Sequence, residues 1–149
     1  MTLYAFTDGA SRGNPGHAGI GVLVKDEKGG VLIEEKQYIG KATNNVAEYR
    51  ALIACLRKLQ ELHGLAETNE NSSLREKFRA VVVHSDSELM VKQVTGVYKI
   101  KDKTLNRFAV QVKDLLRSLQ TTWTLKHIPR EQNRETDRLA NQAIDEALL

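Results

Sequence analysis

The fold is decided by residues 2–38, which read TLYAFTDGASRGNPGHAGIGVLVKDEKGGVLIEEKQY. Two short runs rich in aromatic and small apolar residues flank a turn of glycine, asparagine and proline. This pattern predicts strands over residues 2–8 and 19–24, joined through the turn at 13–16. A Gly29-Gly30 pair leads into a third apolar run that starts at Val31 and continues with polar residues to Tyr38. Because two strands joined through such a pair form a hairpin, the opening predicts a three-stranded meander.

After the meander, the apolar pattern alternates between the helical period and short strands. Residues 44–63 carry a helical apolar stripe, whereas residues 64–79 are polar and aperiodic and predict a mobile surface loop. The later segments predict a strand from Ala80 towards Asp86, a helix from Ser87 to Gly96, a helix over 103–119, a strand over 121–128 and a last helix with Asn133 as its N-cap. A meander followed by this alternation indicates an α/β protein with a mixed sheet and helices packed on it.

Length and composition fit one domain, residues 1–149, with an apolar core. The chain is 41% apolar and 28% charged, and a domain of this size buries roughly 70% of the surface of its unfolded chain. The single cysteine, Cys55, excludes the disulfide-rich secreted class and suits a reducing compartment. The first residues do not resemble a signal peptide, and no apolar run approaches the ~18 residues of a membrane span. We therefore expect a cytoplasmic monomer.

The net charge of +3 is unevenly distributed along the chain. Residues 87–130 contain nine basic and three acidic residues, a local net charge of +6, whereas residues 1–86 are balanced. A positive segment of this kind is typical of a protein that binds a polyanion such as a nucleic acid. A solvated, lysine-rich helix surface explains such segments about as well, so charge alone does not identify a function.

Four carboxylates occupy positions where the apolar pattern does not favour a charge. Asp8 and Asp86 each end an apolar strand, Glu48 lies in the buried stripe of a helix, and Asp137 lies in the first turns of the last helix. A buried carboxylate is usually paired or bound to a metal, and no lysine or arginine shares the Glu48 stripe. If the two strands are parallel, Asp8 and Asp86 emerge at the same end of the sheet. A cluster of oxygen ligands suits Mg²⁺ or Mn²⁺, and two such ions are a common device for phosphodiester hydrolysis.

Each of these carboxylates also has an ordinary structural explanation. An aspartate after a strand commonly forms a turn or caps a helix, and a glutamate on an apolar stripe can lie at its edge. An aspartate in the first turns of a helix interacts favourably with the helix dipole. Taken one at a time, the four residues do not establish a site.

Their surroundings carry a more specific signal. The segments are Thr7–Gly16 (TDGASRGNPG), Thr43–Tyr49 (TNNVAEY), Ser85–Ser87 (SDS) and Asn133–Ala140 (NRETDRLA). Together they resemble the four signature blocks of type 1 ribonuclease H, in the order of that family and over most of the chain. The resemblance implies a five-stranded mixed sheet of order 3-2-1-4-5 with helices on both faces. It also implies endonucleolytic hydrolysis of the RNA strand in RNA–DNA hybrids, with 5′-phosphate and 3′-hydroxyl products.

The resemblance further assigns roles to the four carboxylates. Asp8 matches the carboxylate that bridges two metal ions, Mg²⁺ with Mn²⁺ as a possible substitute. Glu48 and Asp86 match ligands of the ion on the leaving-group side, and Asp137 matches the ligand on the side of the attacking water. These four residues are therefore the expected catalytic and metal-binding residues.

The same blocks imply contacts with the hybrid substrate. Gly13 and Asn14 together with Asn44 and Asn45 match residues that read the minor groove, where only the RNA strand presents 2′-hydroxyl groups. Thr43 and Asn14 resemble contacts to phosphates of the DNA strand. The expected substrate-binding set is Gly9, Ala10, Ser11, Gly13, Asn14, Thr43, Asn44 and Asn45. An ordinary turn at 13–16 and a helix N-cap at Asn44 or Asn45 are compatible with these contacts.

The chain departs from the family pattern at three places. The separate basic helix of the bacterial form is missing between Gly96 and the next helix, which resembles archaeal and some bacterial members, and Lys99, Lys101 and Lys103 are candidates for part of its charge. Glu88 stands where the family often has glutamine, and its charge would repel a nearby phosphate. The mobile histidine that precedes the last carboxylate has no clear equivalent. The candidates for its role in product release are His127, Arg130 and Glu131.

Other classes of protein fit the sequence less well. A phosphatase with Asp8 as nucleophile would need an acid at position 10, where Ala10 stands, and the Gly-Lys-Ser/Thr of a P-loop is missing. A metal-free ribonuclease would use two histidines and release a cyclic phosphate. A DNA-strand transferase of the same fold would share the carboxylates but not the Asn44-Asn45 pair. A non-catalytic module that binds hybrids is the remaining alternative, and the presence of all four carboxylates argues against it.

Overall fold

The predicted meander is present, and its strands are longer than the apolar runs indicate. The computed structural model describes residues 1–68 and 78–149, with only the backbone described for 65–68. Because backbone hydrogen bonds do not depend on side-chain polarity, the pairing of the first two strands continues past Asp8 to Gly13 opposite Gly16. The strands are β1 (Thr2–Gly13), β2 (Gly16–Lys25) and β3 (Val31–Ala42).

Helices and strands alternate in the rest of the chain, as predicted. The elements are α1 (Asn44–Thr68), β4 (Ala80–Ser85), α2 (Glu88–Val94), α3 (Lys103–Ser118), β5 (Thr122–His127), a short 3₁₀ helix (Arg130–Gln132) and α4 (Arg134–Ala147). β2 pairs antiparallel with β1 and β3, whereas β4 pairs parallel with β1 and β5. The strand order is β3-β2-β1-β4-β5, which confirms the predicted mixed five-stranded sheet.

Helices cover both faces of the sheet. α1 and α3 pack with buried residues of β1, β2 and β4 around Leu3, Val22 and Val83. α4 lies across β1, β2 and β3 on the other face, because Gly19 and Gly21 of β2 contact it while Ile20 between them points towards α1. A Cβ atom at Gly19 or Gly21 would come within 2.3 or 2.4 Å of a carbonyl oxygen of α4. These glycines therefore let α4 rest directly on the strand.

The predicted start of the loop at residue 64 is wrong, because α1 continues through Thr68. Residues 65–67 are leucine, alanine and glutamate, all of which favour helix. The helix therefore continues past the point where its apolar period ends. The part of the predicted loop from 69 to 77 lies outside the described residues. Phe78 is buried in the core and Arg79 donates its backbone N–H to the carbonyl of Met1. Within the described ranges, no helix combines the length and apolar character needed to cross a membrane.

Candidate active site

Two of the four predicted site residues lie side by side at the point where β1 and β4 stop pairing. β1 and β4 are parallel neighbours, and the last residues that pair between them are Thr7 and Ser85. Asp8 and Asp86 follow these residues directly, so both carboxylates lie where the pairing of β1 with β4 ends, although β1 itself continues to Gly13 beside β2. The parallel pairing on which their predicted proximity depended is therefore present.

Glu48 reaches the same place from α1 because Gly9 allows a close approach. A Cβ atom at position 9 would come within 2.3 Å of the backbone of Ala47 and within 2.4 Å of the backbone of Glu48. The missing side chain thus lets the second turn of α1 lie against β1. The backbone N–H of Gly9 donates a hydrogen bond of 2.5 Å to Oε1 of Glu48 and holds the carboxylate beside Asp8.

The three carboxylates form a compact group of oxygen atoms. Asp8, Glu48 and Asp86 each offer one oxygen, and these oxygens all lie within 4.8 Å of one another. Asp8 and Glu48 are buried, with 4% and 3% of their surface exposed, and Asp86 is half-buried. Only a cation or a shared proton makes such a spacing of negative groups favourable.

Asp137 joins the group from α4. It is half-buried in the first turn of the helix, and its carboxylate lies close enough to Asp8 to help raise the pKa of Asp8. Nδ2 of Asn141, one turn further on, donates to Oδ1 of Asp137 at 3.3 Å and so fixes the orientation of the carboxylate. The four carboxylates therefore come from β1, the residue after β4, α1 and α4.

The electrostatics of the group favour a bound cation. Burial raises the pKa of Asp8 far above its usual range, and the nearby negative charges of Glu48, Asp86 and Asp137 raise it further. Burial and the charge of Asp86 likewise raise the pKa of Glu48. In the described part of the chain, no lysine or arginine forms an ion pair with any of these carboxylates. Among the described residues, the charge of the four acids is therefore not balanced by an ion pair.

Asn133 connects the elements of the site, and sequence reasoning missed this role. Its Nδ2 donates to the carbonyl of Thr7 at 2.9 Å and to Oδ2 of Asp86 at 3.2 Å, while its Oδ1 accepts from Thr136 at 3.0 Å. The residue precedes α4 as predicted, but its side chain does not cap a backbone N–H of that helix. The reason is that the buried end of β1 needs a donor for the Thr7 carbonyl. The only signal of this role in the sequence is that Asn133 belongs to one of the four family blocks.

The predicted substrate-binding asparagines lie together at the start of α1. Asn14, Asn44 and Asn45 are all exposed, and Oδ1 of Asn14 accepts a hydrogen bond of 3.2 Å from the backbone N–H of Asn44. The hydroxyl of Thr43 accepts from the backbone N–H of Val46 at 3.2 Å, so Thr43, and not Asn44 or Asn45, caps α1. Because Thr43 takes the cap, the amides of both asparagines remain on the surface.

The other residues predicted to contact substrate lie along the end of β1. Gly9 is buried, and its N–H is bound to Glu48, whereas Ala10 and Ser11 are half-buried. The hydroxyl of Ser11 donates to the carbonyl of Ala42 at 2.7 Å and also contacts the carbonyl of Gly13. Gly13 is exposed with a φ of +123°, a conformation that favours glycine in the turn to β2.

The residues predicted to assist product release lie at the same end of the sheet as the carboxylates. His127 ends β5, pairs with Ser85 across the ladder and is exposed. Arg130 and Glu131 are exposed on the 3₁₀ helix that links β5 to Asn133 and α4. His84, by contrast, stacks on Phe6 with ring centroids 4.4 Å apart and contacts the carbonyl of Ala5, so it packs within the protein away from this group.

The chain between Asp86 and α3 is short and positively charged. Glu88 is bound by Lys92 at 2.5 Å, and so the negative charge that was predicted to repel a phosphate is paired. Residues 95–102 connect α2 to α3 without another helix, and they expose Lys99 and Lys101 to solvent. The predicted lack of a separate basic helix is confirmed.

Comparisons with known proteins agree with this geometry. A family model described as RNase H matches residues 1–145. Ribonuclease HI of Halobacterium salinarum is 38% identical over 145 residues, which are 97% of this chain and 65% of that protein. The bifunctional protein Rv2228c of Mycobacterium tuberculosis is 42% identical over 99% of this chain and 36% of its own length. The chain thus spans less than two thirds of these curated relatives.

Two solved structures of one relative cover the chain almost completely. LC11-RNase H1, isolated from compost by a metagenomic approach, has a TM-score of 0.86 and 44% identity over 99% of both chains. Its complex with an RNA/DNA hybrid has a TM-score of 0.83 and 43% identity over the same share of both chains. The match of the family model, the sequence relatives and the shared fold confirm the resemblance seen in the four blocks: the chain belongs to the ribonuclease H family.

Proposed function

We propose that this protein is a metal-dependent endoribonuclease that cuts the RNA strand of RNA–DNA hybrids. The observation that carries the proposal is the convergence of oxygens of Asp8, Glu48 and Asp86 within 4.8 Å, with the carboxylate of Asp137 near enough to raise the pKa of Asp8. Membership in the ribonuclease H family supports it, as does the relative whose structure contains an RNA/DNA hybrid.

The residues present fit a pair of divalent cations. All four side chains offer oxygen, which Mg²⁺ and Mn²⁺ prefer, and nitrogen or sulfur ligands that would favour zinc are missing from the cluster. Burial first, and then the charges of neighbouring carboxylates, raise the pKa values of Asp8 and Glu48, and bound cations would favour the ionised forms. The proposed cofactor is Mg²⁺, two ions per site, with Mn²⁺ as a substitute.

The chemistry then divides between the cations and the protein. When bound, the cations lower the pKa of the attacking water and neutralise the oxygen that leaves as the 3′-hydroxyl. In the proposed arrangement Asp8 contributes to both positions, Glu48 and Asp86 lie on the leaving-group side, and Asp137 lies on the side of the water. The N–H of Gly9 and the amide of Asn133 keep Glu48 and Asp86 in place.

Substrate selection is assigned to the amide cluster beside the carboxylates. Asn14, Asn44 and Asn45 present exposed donors and acceptors that can reach a wide, shallow minor groove, where 2′-hydroxyls mark the RNA strand. Thr43 is proposed to contact the DNA strand, and Gly13 allows close approach of the backbone. The half-buried Ala10 and Ser11 complete the proposed surface, while Gly9 acts through Glu48.

Product release is proposed to involve the exposed residues that follow β5. His127, Arg130 and Glu131 all lie at the carboxylate end of the sheet, and their side chains are exposed. Their exposure and mixed charge suit transient contact with a departing phosphate. Of the three, Glu131 and Arg130 are the nearer to Asp137 along the chain.

The direct test is digestion of a labelled RNA–DNA hybrid with purified protein. We expect cleavage of the RNA strand in the presence of Mg²⁺ or Mn²⁺ and none in EDTA, with 5′-phosphate and 3′-hydroxyl ends. Single-stranded RNA, double-stranded RNA and duplex DNA serve as controls and should remain uncut under the same conditions. Cyclic phosphate ends would indicate a metal-free mechanism. Hybrid binding in EDTA without cleavage under either metal would indicate a binding module.

Binding of the hybrid is expected to weaken as salt increases. Exposed basic residues such as Lys99 and Lys101 would displace counterions from phosphates, and each such contact changes the slope of log K against log[salt] by about −0.9. Fluorescence anisotropy in EDTA between 50 and 200 mM NaCl measures this slope. An affinity that stays constant over this range would contradict an electrostatic interface.

A further inference from the structure

A recess separate from the four carboxylates lies on the face of the sheet that α1 covers. It has a volume of about 230 Å³ and lies between β3, α1 and α3. Its polar lining comes from Arg50 and Arg57 of α1, Gln37 of β3 and Gln111 of α3, and the ring of Phe108 forms part of its wall. None of the four carboxylates lines this recess, which we call the arginine cleft.

The arginine cleft is positive and has no internal counter-charge. No acidic residue lines it, and in the part of the chain that the structure describes neither Arg50 nor Arg57 forms an ion pair. Glu35, two positions before Gln37 on the same side of β3, is bound by Lys58 at 2.9 Å. Two guanidinium groups are therefore available to an anion from outside the chain.

The walls of the cleft hold its shape. Nη1 of Arg50 donates to the carbonyl of Ile39 at 3.4 Å, and this contact leaves the other N–H groups of the guanidinium unused. Phe108 stacks against the buried ring of Tyr49 with centroids 6.3 Å apart. Arginine on a fixed stem binds phosphate through two parallel hydrogen bonds better than a freely moving lysine does.

The two arginines of the cleft lie on the same face of α1 as Thr43, which caps the helix beside the proposed active site. Thr43, Arg50 and Arg57 are each seven residues apart and therefore share one face of α1 and its cap. The two arginines are separated by about 10.5 Å along the helix axis. One strand of a duplex carries a phosphate every ~3.4 Å of its axis, so this distance corresponds to about three phosphates.

We infer that the arginine cleft binds the phosphodiester backbone of the strand that passes Thr43, so that α1 guides the hybrid beyond the reacting phosphate. This inference rests on the proposed function, because it takes Thr43 as a contact to the DNA strand. The interaction is independent of base sequence, since guanidinium groups that bind phosphate do not read base edges. The cleft therefore extends the substrate interface without contributing to the chemical step.

The test is the double variant Arg50→Gln/Arg57→Gln, which removes both charges and keeps part of each aliphatic stem. Fluorescence anisotropy with a fluorescein-labelled hybrid in EDTA should show about tenfold weaker binding at 0.1 M NaCl. The slope of log K against log[salt] should become shallower by about 2, because two phosphate contacts are lost. With Mg²⁺, KM should rise while kcat at saturating hybrid stays within twofold.

Two further variants control for charge and for folding. Lys28→Gln removes one exposed charge in the turn between β2 and β3 and should leave the affinity and the slope within error of the wild type. Arg57→Gln alone changes an exposed side chain and should make the slope shallower by about 1. This single variant keeps the test valid if the double variant is less stable.

Wild-type affinity and slope in both arginine variants would overturn the inference. Calorimetry with inorganic phosphate is a second experiment. If the wild type bound phosphate saturably and the double variant did not, while hybrid affinity stayed unchanged, the cleft would bind a free anion. That result would also overturn the inference. The inference is tested by binding in the absence of metal, whereas the proposed function is tested by cleavage in the presence of metal. A wild-type protein that cleaves nothing would therefore refute the proposed function separately.

Discussion

Replacement of Asp8 by asparagine is expected to lower the rate of hybrid cleavage by about 10³-fold or more. Asp8 interacts electrostatically with Glu48, Asp86 and Asp137, so its charge is expected to contribute to both proposed cation positions. An amide at this position keeps the shape but removes the negative charge that holds the cations. Loss of several kcal/mol of metal-assisted stabilisation corresponds to this factor, since about 1.4 kcal/mol is tenfold in rate. The measurement is kcat with a labelled hybrid in Mg²⁺.

The same variant should fold at least as well as the wild type when metal is absent. Folding raises the pKa of Asp8 through burial and nearby negative charge, so the ionised form is disfavoured in the folded protein at neutral pH. A neutral asparagine removes this repulsion, and the melting temperature in EDTA should be unchanged or higher. Glu34→Gln, which neutralises an exposed carboxylate of β3, is the matched control and should leave both quantities unchanged. Near-normal turnover of Asp8→Asn, or its failure to fold, would refute Asp8 as a metal ligand.

Replacement of Gly9 by alanine is expected to lower the free energy of unfolding by about 3 kcal/mol and to reduce cleavage. The added Cβ would stand 2.3 Å from the backbone of Ala47, which α1 can relieve only by moving away from β1. That movement would lengthen the hydrogen bond from Gly9 to Glu48 and displace the carboxylate from Asp8. For a chain of this size the expected fall in melting temperature is about 6–12 °C.

Gly64→Ala is the matched control for this substitution. Apart from its chain neighbours and the backbone of α1, a Cβ at position 64 meets no atom of the described residues within 4 Å. The residue lies in α1, where alanine favours helix by up to about 1 kcal/mol relative to glycine. Its urea midpoint should therefore be equal to or slightly above that of the wild type. If Gly9→Ala unfolded at the same urea concentration as Gly64→Ala, the close approach of α1 to β1 would have no energetic importance.

Much of the site could be predicted from sequence because its residues interrupt local patterns. Asp8 and Asp86 end apolar runs and Glu48 stands in a helical apolar stripe, so each is visible as a charge that interrupts an apolar pattern. The four blocks around them then identified the family, which the comparisons confirmed. Asn133 was visible as part of a block, but its hydrogen bonds to Thr7 and Asp86 were not, because a neutral side chain at a helix start looks like an ordinary cap.

Boundaries were predicted less well than the existence of elements. β1 extends five residues beyond the predicted end because pairing with β2 continues through polar residues. α1 runs to Thr68 because helix propensity continued where the apolar stripe ended. In both cases backbone hydrogen bonding, which is nearly independent of side-chain polarity, set the end of the element.

The sequence by itself determined the order of helices and strands and the identity of the four acids, because turn residues and apolar periods act over a few neighbouring residues. Only the tertiary structure decided that Gly9 admits α1 to the edge of the site, that Asn133 joins β1 to Asp86, and that Arg50 and Arg57 share a cleft with α3. These features depend on distances of a few ångströms between residues far apart in the chain. Such distances follow from how whole elements pack, and no local pattern encodes them.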